Sequence, residues 1–403
     1  MTRTILFMPS WYPTKKNPVS GIFFKKQLNV LARSNNMELL LYNRFDVGLL
    51  RFFFHLFFRR SFVRLCPDEN LFTVKAEVFL PGDKFLISRL IRRCMLELYD
   101  RRIERLLKKG AKIDAIYAVT AQVNSTDAKR MSRMLDVPYI VSEHSPFPVP
   151  GTVISPETRQ AISEADAFIS ISRDKTRQVL MQNISICPYL VGNFIDESKF
   201  TTGAKKDPVF TILIVAAYNF YKDYPTFLRA MRKLKTISDK KFRVSIVGYS
   251  PIKETNVWNQ GGKAFLDLID SYGIRDICDL VPVVSHEAIA RYYQQADVFV
   301  MTSVQEGFPV SVLEAAACGI PVFSTKCGGS EDFIDDSCGR LFELQDYEGI
   351  ASGLKDLMDG KISFSPETIR EKVVSAYGTN AFLNKMNAVF SNVIEEYQKK
   401  AAR

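Results

Sequence analysis

Two glutamates, Glu306 and Glu314, stand either side of the segment Gly307-Phe308-Pro309-Val310-Ser311. Carboxylates accept hydrogen bonds from hydroxyls, and a bidentate carboxylate suits the adjacent hydroxyls of a sugar or ribose. The segment between them has the composition of a turn opening a helix, whose free N–H groups and dipole make an anion seat. An anion seat between two readers of hydroxyls points to a ligand with a diphosphate in its middle and sugars at both ends. A second polar cluster, Ser142-Glu143-His144-Ser145, follows the apolar run Tyr139 to Val141. The C-terminal end of a parallel strand is where α/β sheets place ligand groups, which makes His144 a candidate.

The elements that position these groups can be read from their punctuation. Val298 to Met301 predicts a buried strand and Gly307 a sharp turn. Pro309 suits a first helical position, and Ser311 with Glu314 has capping-box spacing. Ala315 to Ala317 favour helix, Gly319 ends it, and Pro321 to Ser324 predicts the next strand. For a lone pair of glutamates, the reading is an ordinary buried βαβ crossover with two solvated side chains. Near the N-terminus, Thr4 to Met8 predicts a strand, then a loop containing Gly21, then a helix from Ile22, the start of a nucleotide-binding type of α/β domain. Further strands are expected at 37–42, 115–119, 167–172, 209–216, 244–248 and 279–283. Helices are expected at 125–135, 287–294, 346–359 and 380–403, and a hairpin-like turn at 336–341.

The string Glu306-Gly307-Phe308-Pro309…Glu314-Ala315…Cys318-Gly319…Pro321-Val322, followed by Gly328-Gly329, resembles the E-x7-E signature of retaining family 4 glycosyltransferases of the GT-B fold. The resemblance is strongest from 296 to 339, continues around 142–144 and 192–196, and is weakest over the first 110 residues. It implies an α/β architecture of two Rossmann-like domains facing each other across a cleft, with a C-terminal helix crossing back to the first. The expected division is 1–195, with helix 380–403, for the acceptor, and 196–379 for the nucleotide-sugar. Donor-binding residues carried over are Gly21, Lys222, Glu306, Gly307, Phe308, Pro309, Val310, Ser311 and Glu314. His144, Lys222 and Glu306 carry the catalytic roles. His144 donates a hydrogen bond beside the reacting sugar, and Glu306 grips that sugar's hydroxyls. Glu314 grips the ribose, and Lys222 neutralises the diphosphate.

Three departures stand out. Ala217 occupies the place of a second diphosphate-binding cation, for which Arg173 or Arg177 is a candidate substitute. Ser20-Gly21 replaces a glycine pair, and Phe194 replaces a glycine in Val191-Gly192-Asn193-Phe194-Ile195-Asp196. The family's chemistry implies no protein nucleophile, because the leaving phosphate takes the acceptor proton. No Asp-x-Asp pair stands at a strand end, so neither a metal nor a cofactor is expected.

With 403 residues, 47% of them hydrophobic, the chain can form two full domains. The chain's net charge is +10, and its positive excess belongs to residues 1–200, where 30 Lys and Arg face 19 Asp and Glu for a net of +11. That asymmetry points to an anionic partner. A membrane surface is favoured over nucleic acid by Arg51, Phe52, Phe53, Phe54, Phe57, Phe58, Arg59 and Arg60. On one helix these suit the headgroup region of an anionic leaflet. Residues 85–110 predict a second basic amphipathic helix. No run is long and apolar enough to span a bilayer. The seven cysteines have no metal-binding spacing and read as free thiols. The expectation is a cytoplasmic enzyme, peripheral on the inner face of the plasma membrane. It would move a hexose from a nucleotide-diphosphate sugar to a saccharide or lipid-linked acceptor in polysaccharide synthesis. The alternatives are a nucleotide-sugar epimerase and a non-catalytic interaction protein on the same scaffold.

Overall fold

The structure is a computed structural model. It describes residues 2–13, 21–34, 37–47, 50, 52–54, 63–68, 71–81, 90–91, 94, 112–203, 207–249, 262–285 and 287–403. For 43–47, 63–68 and 71–81 the description is of the backbone. The chain forms two compact units. The first contains 1–171, 175–191 and 383–403, and the second 172–174 and 192–382.

The first unit is built on β1 (Arg3–Met8), β2 (Met37–Val47), β3 (Val63–Asp68), β4 (Leu71–Pro81), β5 (Ala115–Val119), β6 (Tyr139–Glu143), β7 (Ala167–Ser170) and β8 (Pro188–Leu190). Their order in the sheet is β3-β4-β2-β1-β5-β6-β7-β8. Every pairing is parallel except β3 with β4. Central strands β5, β6 and β7 are fully buried, as parallel strands covered by helices on both faces must be. The order reverses at β1, which lies between β2 and β5. Asn124, buried on the helix Ala121–Leu135, stitches that reversal: its Nδ2 donates to the carbonyls of Met8 and Val119 at 3.0 and 2.8 Å.

The second unit is built on β9 (Phe210–Val215), β10 (Phe242–Tyr249), β11 (Cys278–Pro282), β12 (Val298–Met301), β13 (Val322–Thr325) and β14 (Gly339–Phe342). The order is β11-β10-β9-β12-β13-β14, all parallel. Its core packs Ile212, Ile214, Val244, Ile246, Val298, Val300 and Phe323 against Phe227, Met231 and Leu234 of the helix Tyr224–Ile237. The strand order reverses between β9 and β12, so the loops after these two strands flank the crevice at the sheet's carboxyl edge.

Several expectations are corrected. The segment after β2 contains the antiparallel pair β3 and β4, which the sequence reading omitted. Of the aromatic-arginine stretch, Phe52 is buried, while Phe53 and Phe54 are exposed. The broad aromatic face is therefore split, because Phe52 finds a core. Arg51, Phe57, Phe58, Arg59 and Arg60 lie outside the described residues, as does most of 85–110. The turn at 336–338 leads into β14, a parallel edge strand and not half of a hairpin. The helix expected from 287 begins at Ala290 after a turn. Among the described residues no helix is long and apolar enough to cross a membrane.

Candidate active site

The strand β12 ends in Thr302 and Ser303, both buried, and the chain turns through Glu306 into the helix Val310–Ala317. Hydrogen bonds run from this turn to its neighbours. Thr302 Oγ1 donates to the carbonyls of Lys222 and Asp223 at 3.0 and 3.1 Å, tying the β12 loop to the β9 loop. The Val304 N–H donates to the Tyr221 carbonyl at 2.9 Å. Thr325 Oγ1 donates to the Ser303 carbonyl at 2.6 Å, and the Glu306 N–H to the Cys327 carbonyl at 2.8 Å. The two loops that topology brings to the switch point are thus locked together by short bonds.

Their side chains meet. Lys222 Nζ donates to Glu306 Oε1 at 2.6 Å, and Ser303 Oγ donates to the same oxygen at 2.7 Å. Both charged side chains are part-exposed, at 27% and 16%. Lys222 sits on the short 3₁₀ turn Phe220–Lys222, and Asp223 then caps the helix Tyr224–Ile237 through Thr226. A cation and a carboxylate side by side at a sheet's switch point can receive an anionic group and a hydroxylated one in adjacent seats.

The helix Val310–Ala317 supplies the third part. It starts at Val310, with Pro309 as its N-cap and no side-chain cap. The capping box expected from Ser311 and Glu314 is therefore not formed. Glu314 lies inside the helix, is buried, and accepts from Tyr293 OH at 2.9 Å. Burial and the adjacent carboxylate push the Tyr293 hydroxyl well above its usual value, so it remains a donor. The first N–H groups of the helix have no intrahelical acceptor. Phe308 is buried against Tyr377, with ring centroids 4.9 Å apart, and its carbonyl accepts from Asn193 Nδ2 at 2.7 Å. At the other end, the Arg370 guanidinium donates to the carbonyls of Ala317 and Phe200. The glycine pair is steric: a Cβ on Gly329 would stand 2.3 Å from the Gly307 carbonyl oxygen.

The predicted residues divide between the units. Lys222, Glu306, Gly307, Phe308, Pro309, Val310, Ser311 and Glu314 all belong to the second. Ala217, exposed after β9, leaves Lys222 as the cation of this loop. Arg173 also belongs to the second unit; its N–H donates to Asp332 Oδ2 at 2.6 Å, while Arg177 belongs to the first. Gly21 and His144 are in the first unit. Gly21 is the N-cap of the helix Ile22–Ala32 at φ 73°, and a Cβ there would stand 2.4 Å from the Trp11 carbonyl oxygen. That is a positional role requiring glycine.

His144 follows β6 and is half-buried between Phe23 and Phe24, at centroid distances of 5.6 and 5.4 Å. Its Nε2 lies 3.3 Å from Ser142 Oγ. Neighbouring Glu143 is fully buried, and its carboxylate accepts the N–H groups of Gln122, His144 and Ser145 at 3.2, 2.9 and 2.8 Å. Desolvation still dominates and raises its pKa to about 7, against the lowering by those N–H groups and Lys175. Sequence reading missed Ser303, Thr325, Tyr293 and Arg370 altogether. Asn193 was visible in its motif, but its grip on Phe308 was not.

Known proteins of similar fold and sequence put this geometry in context. The D-inositol 3-phosphate glycosyltransferase of Geodermatophilus obscurus is 24% identical over 261 residues, which is 60% of this chain and 56% of that protein. The putative colanic acid biosynthesis glycosyltransferase WcaL of Escherichia coli is 28% identical over 169 residues, 40% of this chain and 39% of that protein. The chain thus spans about half the length of the curated relatives it matches. Sucrose-phosphate synthase from Thermosynechococcus elongatus superposes with a TM-score of 0.69 at 17% identity, over 98% of this chain and 100% of that one. The lipopolysaccharide outer core galactosyltransferase WaaB gives 0.69 at 16%, over 96% and 99%. HepE of Anabaena in complex with UDP-glucose gives 0.66 at 13%, over 97% and 100%. These structural likenesses show the fold, which is GT-B. Residues 195–374, the stretch that carries both Lys222 and Glu306, match the family model for glycosyl transferases group 1.

Proposed function

We propose that this chain is a retaining glycosyltransferase of the E-x7-E, family 4 type. It moves a hexose from a nucleotide-diphosphate sugar to an acceptor hydroxyl. The observation that carries this reading is the contact of Lys222 with Glu306 beside the turn into the helix Val310–Ala317. Negative charge grows on the leaving diphosphate as the glycosidic bond breaks. Lys222 and the N–H groups of Phe308, Val310 and Ser311 stabilise that charge. When donor enters, Lys222 turns to the phosphates and Glu306, still held by Ser303, takes the sugar hydroxyls. Glu314 holds the ribose, and His144 donates a hydrogen bond beside the reacting sugar. The acceptor proton leaves on the departing phosphate, and no metal takes part.

The neighbours bound to UDP and UDP-glucose and the curated glycosyltransferases support a nucleotide-sugar donor as the substrate class. The exposed Phe53, Phe54, Leu50 and Leu90 support the further reading of a peripheral enzyme, on an inner-membrane face, acting on a lipid-linked or polysaccharide acceptor. Calorimetry against a panel of nucleoside diphosphates tests the donor site. Binding of at least one, weakened in Lys222→Ala and insensitive to EDTA, is expected. Binding of none, or equal binding in the variant, would falsify the assignment. Nuclear magnetic resonance of the first-formed product tests retention, because an inverted anomeric configuration rules it out.

A further inference from the structure

A buried chain of hydrogen bonds runs from the helix Ile22–Ala32 across β5 to the end of β6 and stops at His144. Gln27 Nε2 donates to Tyr117 OH at 3.5 Å. Tyr117 OH donates to Ser142 Oγ at 3.1 Å, and Ser142 Oγ lies 3.3 Å from His144 Nε2. Gln27, Tyr117 and Ser142 are at 2%, 0% and 0% exposure, so these bonds are shielded from bulk water. Only Ser142 stands in a motif visible in the sequence; Gln27 and Tyr117 lie far from it in the chain.

The donors impose a direction. An amide nitrogen can only donate, so Tyr117 oxygen accepts from Gln27 and spends its one proton on Ser142. Burial pushes the Tyr117 phenol up to about 12, so it stays protonated as a donor. Ser142 Oγ accepts that proton and has its own to offer His144 Nε2, 3.3 Å away, and a bare Nε2 is the state that leaves no buried hydroxyl proton unpaired. Phe23 and Phe24 flank the imidazole and oppose a flip of the ring. We infer that Gln27, Tyr117 and Ser142 are positioning residues that hold His144 as the neutral tautomer with its proton on Nδ1. The amide that starts the chain leaves Gln27 Oε1 buried without a hydrogen-bond partner. Turned over, that amide would reverse every bond and place the imidazole proton on Nε2. The side chain of Gln27 therefore sets which nitrogen of His144 can donate.

The tautomer itself can be tested without assuming the proposed reaction; only its catalytic consequence rests on that reading. The chain has three histidines, so selective ¹⁵N-histidine labelling gives an uncrowded spectrum, and the signals lost in His144→Asn assign the ring. In the full-length wild type near neutral pH, Nδ1 should appear as the protonated nitrogen and Nε2 as the bare one. Ser142→Ala and Tyr117→Phe should each give mixed tautomers, and Ser142→Thr, which keeps the hydroxyl, should restore the wild-type spectrum. A protonated Nε2 in the wild type, or an unchanged ring in both Ser142→Ala and Tyr117→Phe, overturns the inference. For transfer, Ser142→Ala should lower kcat roughly tenfold and leave donor KM within about twofold, the pattern of a misplaced donor in the transition state. Absence of transfer in the wild type, with the expected spectra, would sink the glycosyltransferase reading and leave the tautomer assignment standing.

Discussion

Glu306 shares one carboxylate oxygen between the ammonium of Lys222 and the hydroxyl of Ser303. That sharing ranks the three residues. Lys222→Ala removes the cation facing the developing phosphate charge and should cost about 10²- to 10³-fold in kcat. Glu306→Gln keeps the size and one acceptor oxygen but loses the charge, so it should reduce transfer while the melting temperature stays near wild type. Ser303→Ala removes only an aiming contact, and steady-state kinetics should rank it mildest of the three. Transfer at wild-type rate in Lys222→Ala and Glu306→Gln would remove both from the mechanism.

Glu143 allows a pH test at the same scale. Its carboxyl titrates near 7 when folded, against an ordinary value of 4.5. Below about pH 4.5 it is protonated folded or unfolded. Between there and about pH 7 the unfolded chain releases a proton that the folded chain keeps, so stability falls as pH rises through this window. The loss amounts to about 3 kcal/mol at most above it. Glu143→Gln cannot ionise. Thermal melts should show the wild type losing more stability than the variant between pH 5 and pH 8, and parallel losses would contradict the burial argument.

At the scale of elements, the helix Val310–Ala317 is held from outside. Asn193 fixes the Phe308 carbonyl before it, Arg370 the Ala317 carbonyl at its end, and Tyr293 the carboxylate within it. Tyr293→Phe deprives buried Glu314 of a donor and should destabilise the second unit by about 1–3 kcal/mol, measurable by denaturant unfolding. Gly329→Ala drives a methyl into the Gly307 carbonyl at 2.3 Å. The turn carrying Glu306 must then shift, so this variant should raise donor KM as well as lower stability, whereas Tyr293→Phe should act mainly on stability.

At the scale of the molecule, the last helix, Thr379–Ala401, begins in one unit and ends in the other. Phe390, fully buried, meets Tyr117 edge-on at 5.7 Å, and Arg3 bonds Ser391, so the chain's end completes the core of its beginning. Phe390→Ala should cost about 3–5 kcal/mol in the first unit. Limited proteolysis should then cut the first unit early and the second late. Salt-sensitive sedimentation of the full chain with anionic vesicles tests the proposed membrane contact. Replacing Phe53 and Phe54 by serine should weaken that binding, and equal binding of the variant would move the contact elsewhere.

Local chemistry in the sequence was enough for the order of strand, turn, helix and strand around Gly307. Gly307, Pro309, Gly319 and Pro321 act through their own backbone limits, and the apolar runs of a buried parallel strand declare themselves without partners. The resemblance likewise rests on residues close together in the chain. What the sequence could not carry is who faces whom. Glu314 reads as half of a capping box until Tyr293 meets it, and Phe52 reads as part of an exposed stripe until it is found in a core. The bonds of Gln27 to Tyr117, Asn193 to Phe308 and Arg370 to Ala317 join residues 90, 115 and 53 positions apart. Only the order of strands in each sheet, fixed by packing the whole chain, brings such pairs within a hydrogen bond.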